Sequence, residues 1–271
     1  MTASLRFSFA VILTTAVASV VRQNPWTHTQ RNVLRIRGGA NGRDDGPYSF
    51  SLTTFSPRGS LSQIEYAMNS ALGGALSVAI TYDSGIVMAS ARKAESSLVM
   101  DVGTRKIARV SDGVAVSYAG LAADSRVLTT KAQECCLGYR GKFGNDAVVP
   151  IGTLVSEMAM VMQEYTQMGG VRPFGVALLV ASVEVDGTRL YRLEPSGSYS
   201  AWKACAIGKG SAEAEAILHD QFKESMDRDG AVQLALSTVL GCAPNGVREE
   251  DVEIVCVEEG KIEAWDKLGA R

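Results

Sequence analysis

GPYSFSLTTFSPRGSLSQIEYAMNSALGGALSVAI, residues 46–80, places a turn, a helix and a strand in immediate succession. Ser56-Pro57-Arg58-Gly59 has turn chemistry, with Pro57 presetting φ and Gly59 closing it. From Leu61 the apolar positions Leu61, Ile64, Ala67, Met68, Ala71 and Leu72 recur at three- and four-residue spacing. That spacing predicts a short amphipathic helix, stopped by Gly73-Gly74. A strand at Ser77–Tyr82 follows. An enzyme that began at this strand would shed the preceding helix as a propeptide. A chain that kept the helix would use it for interaction.

Working outward, Ile86–Ala91 follows Asp83-Ser84-Gly85, a tight hairpin signal. Ile107–Val110 and Val114–Tyr118 flank a second one at Ser111-Asp112-Gly113. A helix is expected over Asp124–Tyr139, with Val127, Leu128, Lys131, Ala132, Cys135 and Tyr139 on one face. A second is expected over Ile151–Met168, with Leu154, Val155, Met158, Met162 and Tyr165 on its face. Strands return at Phe174–Glu184, Arg189–Glu194 and Tyr199–Ile207. Helices near Ser211–Met226 and Gly230–Leu240 then precede a final strand pair, Asp251–Glu258 and Lys261–Trp265.

The hairpins make the sheets antiparallel, and the run VALLV at Val176–Val180 is too continuously apolar for one face to meet water. The expected class is α+β: a four-layer αββα sandwich, two stacked antiparallel sheets with a helix pair on each outer face. No repeat or linker divides residues 46–271, which are expected to form one domain.

The chain has 271 residues, 46% hydrophobic and 21% charged, with formal net charge −2. That suits one large core and supplies no dense basic stripe for nucleic acid. The five cysteines, Cys135, Cys136, Cys205, Cys242 and Cys256, lack CxxC spacing and read as free, mostly buried thiols of a reducing compartment. His28 and His219 are the only histidines, so a histidine-based catalytic or metal site lacks material. No cofactor or metal is expected.

Residues 1–45 differ in kind. Phe7–Val21 is uncharged and largely apolar, follows Arg6, and carries Ala16-Val17-Ala18 as a cleavage-like site; it is too short to span a bilayer comfortably. Five arginines between Arg22 and Arg43, with no acid before Asp44, give transit-peptide composition. A targeting leader, a disordered extension and a start codon placed too far upstream all remain open, and the segment is set aside from the fold.

The stretches YSFSLTTFSPRGSLSQIEY (Tyr48–Tyr66) and QEYTQMGGVRPFG (Gln163–Gly175) resemble proteasome α-type subunits. Ser117-Tyr118-Ala119-Gly120, Asp124-Ser125-Arg126-Val127-Leu128, Pro195-Ser196-Gly197 and Trp202-Lys203-Ala204 extend the resemblance from about Gly46 to Trp265. The opening is most like the second α type of the eukaryotic ring. The resemblance implies the fold of N-terminal-nucleophile hydrolases, which matches the layers read above. Catalytic members of that fold expose an N-terminal Thr whose own amine is the base, tuned by a Lys and an Asp.

At the corresponding positions this chain reads Gly73-Gly74-Ala75-Leu76-Ser77, with no nucleophile at Ala75 or Leu76, and Ala91 or Arg92 in place of the Asp. Lys106 keeps the lysine. One part of three is not a catalytic site, so the resemblance implies a subunit without activity of its own. It then implies a retained preface whose Tyr48, Ser49, Pro57 and Tyr66 match the open-gate cluster of the α ring. Ser49 replaces the family's acidic residue and removes one charge-assisted hydrogen bond. It further implies that Lys106 pairs with the terminal carboxylate of a regulatory-particle tail, with Gly74 leaving the backbone bare beside it.

The implied partners are other α subunits in a seven-member ring, a β ring, and regulatory-particle tails, without nucleic acid or membrane. The implied setting is ubiquitin-dependent degradation in cytoplasm and nucleus, while the leader leaves secretory or organellar targeting open. Two rivals stand beside this reading: an active peptidase processed near Ala75–Ser77, and a stand-alone binding protein of the same fold. Elsewhere, Gly169–Gly175 lacks GxGxxG spacing and is expected to form a helix-to-strand turn with Arg172 in a salt bridge. Gly208-Lys209-Gly210-Ser211 lacks the upstream glycine of a P-loop. Glu164, Glu213 and Glu215 are expected as solvated helix charges.

Overall fold

A computed structural model describes residues 55, 59–92, 98, 105–144, 147–243 and 247–264. Helix α1 (Ser62–Leu72) leads into the hairpin β1 (Ser77–Tyr82) and β2 (Gly85–Ala91), then β3 (Ile107–Ser111) and β4 (Val114–Gly120). Helices α2 (Ala122–Phe143) and α3 (Ile151–Gln167) follow, then β5 (Val176–Glu184), β6 (Gly187–Leu193), β7 (Tyr199–Trp202) and β8 (Ala204–Ile207). Helices α4 (Ser211–Gln221) and α5 (Arg228–Cys242), a 3₁₀ turn at Glu249–Asp251, β9 (Val252–Glu258) and β10 (Lys261–Ala264) complete it.

The strands form two five-stranded antiparallel sheets, ordered β10-β9-β2-β1-β8 and β3-β4-β5-β6-β7. Three apolar clusters fill the spaces between four layers. One joins β1 and β2 to α4 and α5 through Val78, Ile80, Val87, Leu218, Val232 and Ala235. A second joins β4 and β5 to α2 and α3 through Val116, Leu178, Leu128, Leu154, Met158 and Met162. The third lies between the sheets, where Ile86, Met88, Val255 and Val257 meet Ala115, Ala177, Leu179 and Ala181. The αββα sandwich is therefore present. β5 and β2, central in their sheets, carry apolar side chains on both faces, as the run VALLV requires.

Several elements differ in detail from the sequence reading. Tyr199–Ile207 is two strands in different sheets: Trp202 pairs with Leu190, while Ala204 pairs with Ile80. The chain changes sheets at Lys203, whose carbonyl accepts from the Thr81 N–H at 2.9 Å. Helix α2 buries Asp124, Ser125, Leu128, Ala132 and Cys136, so its inner face is rotated from the expected one and Val127 is exposed. Helix α1 buries only Ala67 and Ala71, leaving Met68 and Leu72 exposed. Helix α4 ends at Gln221, five residues short of the expected Met226.

Asp124 is buried because its carboxylate is fully engaged. It accepts both Arg172 guanidinium nitrogens at 2.7 and 2.8 Å and the Gly175 N–H at 2.9 Å. The Arg172 hydrogen bonds outweigh burial and hold the Asp124 carboxyl below the usual range. Arg172 is thus the expected structural salt bridge. Glu215, by contrast, is not a free surface charge. It pairs with Arg192 at 2.7 Å, whose guanidinium lies 4.5 Å from the Trp202 ring. Glu164 and Glu213 are exposed, and all five cysteines are free.

Candidate functional site

At one end of the inter-sheet core, three strands line up polar residues in a row. Ser77 on β1 is paired in register with Ser90 on β2, and Ser90 with Glu253 on β9. Residues directly opposite across a sheet share a face, so the three side chains stand on one side. The Ser77 and Ser90 hydroxyls are 2.6 Å apart in fully buried residues. Ser77 Oγ has the Tyr118 carbonyl as acceptor at 3.2 Å and Ser90 Oγ the Leu76 carbonyl at 3.5 Å, so either hydroxyl can be the donor within the serine pair.

Lys106, just ahead of β3, lies over this row and is only 8% exposed. Its Nζ donates to the Ala75 carbonyl at 2.8 Å and to Ser77 Oγ at 3.3 Å. Its backbone N–H donates to Glu253 Oε2 at 2.8 Å, and the Tyr118 ring centroid is 5.6 Å from Nζ. Burial pulls Lys106 down to about 7, with Glu253 acting weakly in the other direction.

The joint between α1 and β1 runs beside the lysine through a gap too narrow for side chains. A Cβ on Gly74 would sit 2.0 Å from the Gly120 nitrogen, and one on Gly208 would sit 2.7 Å from the Ala75 carbonyl oxygen. Lys209 N–H donates to the Gly74 carbonyl at 2.8 Å. Gly74 and Lys106 thus converge on Ala75 from the chain itself and from β3.

Two of the three positions of a nucleophile site meet, since Lys106 Nζ bonds the Ala75 carbonyl. Ala75 is exposed, Leu76 and Ser77 are buried, and the Ala91 N–H donates to the Leu76 carbonyl at 2.9 Å. At Ala91 or Arg92, where the resemblance expects an acid, there is none, and the Ala91 side chain packs with Leu76 in the core under α4 and α5. Ser77 and Lys106 are within reach of each other, but Ser77 has no exposed surface for a substrate to meet. The geometry holds a lysine without a nucleophile.

The profile of the proteasome subunit family matches residues 72–257, and the N-terminal signature of A-type proteasome subunits matches residues 48–69. The chain belongs to the proteasome subunit family. Within it, this is an alpha-type, non-catalytic member. Among its relatives, the probable alpha type-2 proteasome subunit of Schizosaccharomyces pombe is 41% identical over 210 residues, covering 78% of this chain and 85% of the relative. The alpha type-2 proteasome subunit of Dictyostelium discoideum is 40% identical, covering 79% and 90%. The alpha type-2-A proteasome subunit of Arabidopsis thaliana is 41% identical, covering 83% and 92%.

Of the expected gate residues in this proteasome subunit, Tyr66 projects from α1 with 49% of its surface exposed. Tyr48, Ser49 and Pro57 lie outside the described residues. Ser90 and Glu253 were not singled out by sequence reasoning. Each carried a weak signal, a polar residue inside an otherwise apolar strand, but only the pairing register brings them under Lys106.

Proposed function

We propose that the chain is a non-catalytic subunit of the α ring of the 20S proteasome core, and that it helps form the axial gate and dock regulatory particles. The observation that carries this reading is at Ala75: a methyl stands where the nucleophile belongs, and the chain upstream packs into the fold. In this reading the chain sits beside other α subunits in a seven-member ring over a β ring, within ubiquitin-dependent degradation in cytoplasm and nucleus.

The exposed apolar side chains of Tyr66, Met68 and Leu72 on α1 support a role for that helix in ring contacts. The segment carrying Tyr48, Ser49 and Pro57, with Tyr66, would form this copy's share of the gate cluster. Lys106 and Gly74 would receive the C-terminal carboxylate of a regulatory-particle tail. Two of the three N–H donors of a Lys106 ammonium are engaged by Ala75 and Ser77, which leaves one for a carboxylate. The α-type domain begins near Gly46, with residues 1–45 ahead of it as a leader, a disordered extension or the product of a start codon placed too far upstream; the family matches, which begin at residue 48, support that boundary.

The test is the intact mass of the endogenous chain, taken from whatever complex it co-purifies with at native size. A chain that retains Tyr48 in a particle of core-proteasome size is expected. A mature terminus at Ala75 or Ser77, with peptidase activity, would overturn the reading.

A further inference from the structure

We propose that capture of a carboxylate at Lys106 is coupled to uptake of a proton by its side-chain amine, so that docking at this position weakens as pH rises through neutrality. The proposal rests on the docking reading above and adds a regulatory property to it.

The geometry is that of a buried amine held by uncharged acceptors. Lys106 Nζ donates two hydrogen bonds, to the Ala75 carbonyl and to Ser77 Oγ. A neutral –NH2 has two hydrogens to give, whereas an ammonium has three. Among the described residues Nζ makes no third hydrogen bond, and the buried Glu253 Oε1 is itself unpaired. The groups around it are almost all uncharged. On β1 and β2 they are the Ala75 carbonyl and the Ser77 and Ser90 hydroxyls, and on β4 the Tyr118 ring. Among the described residues the charged group facing it is Glu253 on β9, whose Oε2 is engaged with the backbone N–H of Lys106 rather than with its amine.

A buried cation that makes no ion pair is costly, and burial outweighs the pull of Glu253 toward the charged form, so the uncharged form gains in the free subunit. Burial accordingly holds Lys106 near 7. An incoming carboxylate supplies both missing elements, a negative charge and an acceptor for the third hydrogen. The solvent proton and the carboxylate then bind together, and the bound amine stays charged to higher pH. No covalent bond to carbon forms or breaks.

The experiment uses the assembled complex containing this chain, purified with Lys106 intact and with the Lys106→Arg and Lys106→Met substitutions. The probe is a fluorescein-labelled short peptide copied from the C-terminus of a regulatory-particle component, as the free acid and as the C-terminal amide. The Lys106→Met complex defines binding at the other sites and is subtracted. At the Lys106 site the free acid is expected to lose about twentyfold in affinity between about pH 6.5 and 8.5, while the amide stays flat. Calorimetry near pH 8 in buffers of different ionisation enthalpy should read uptake of about one proton per peptide bound there. Lys106→Arg, which stays charged, should abolish the slope.

If the acid outbinds the amide but with no pH slope and no proton uptake, the coupling is wrong while the docking reading stands. If acid and amide bind alike to the unsubstituted complex, the docking reading falls and the coupling with it. If Lys106→Met prevents assembly, the calorimetric proton count on the unsubstituted complex still decides.

Discussion

Replacing Lys106 by Met removes a titrating amine while keeping an unbranched side chain of similar length. Folding takes the amine from 10.5 to about 7 through burial. The folded pKa is depressed, so between those two values the unfolded chain binds a proton that the folded chain does not. Stability therefore rises with pH across this window, and below pH 7 the full burden of the buried charge is already present. At about 1.4 kcal/mol per unit, the window corresponds to about 5 kcal/mol. The Met variant lacks this dependence but forfeits the hydrogen bonds to Ala75 and Ser77, together worth about 1–3 kcal/mol. The variant should thus be the more stable chain near pH 6 and the less stable one above about pH 9. Urea unfolding of both chains at about pH 7.5 and 9.5 checks this, with an expected relative gain for Lys106 of about 2–3 kcal/mol. A constant difference between the two chains over that range would refute the claim that folding desolvates the amine.

Gly74→Ala forces a Cβ to 2.0 Å from the Gly120 nitrogen, a main-chain atom that cannot rotate away; a loss of about 3 kcal/mol or more is expected in chemical denaturation. Asp124→Asn weakens the Arg172 pair, and Asp124→Ala removes it and leaves the Gly175 N–H unpaired; the latter should cost about 2–3 kcal/mol near pH 7. Because the Asp124 carboxyl is held low, that difference should persist above the unfolded carboxylate range and shrink as pH falls through the folded pKa, which unfolding at a series of acidic pH values would show. In thiol titration of the native chain, Cys136, Cys205 and Cys256 should react only on unfolding, with Cys205 pushed up to about 12 by burial, while half-buried Cys135 and Cys242 react first.

The layer order was legible because hairpin signals and apolar runs report local pairing, and both sheets are built from sequential hairpins. The split at Lys203 was not legible. An extended stretch reads the same whether its halves join one sheet or two, and the choice lies in partners as distant as Ile80 and Leu190. The rotation of α2 has a similar cause. Asp124 reads as a surface residue until Arg172 and Gly175, about fifty positions away, supply its hydrogen bonds. At the candidate site the sequence pattern located Lys106, Gly74 and the missing nucleophile. It did not reveal that Lys106 is buried, because that depends on Ser77, Ser90 and Glu253 standing in register across three strands.

The packing of the helix before the first strand bears on whether it is a propeptide or a working part. A propeptide must leave without unravelling what remains. Here Ala71 sits in the inter-sheet core with Ala119, Ala177 and Ile207. Gly74 is wedged against Gly120, its carbonyl holds Lys209, and Ser70 Oγ reaches the Gly175 carbonyl at 3.4 Å. Releasing the chain up to Gly74 would break each of these links. In the uncut chain Ala75 has no free amine. Its nitrogen is an amide, with its lone pair delocalised into the peptide bond, and cannot act as the α-amine base that an N-terminal nucleophile requires. Lys106 correspondingly addresses the Ala75 carbonyl and the buried Ser77. The segment that keeps the Ala75 nitrogen in a peptide bond also presents Tyr66 and Leu72 outward.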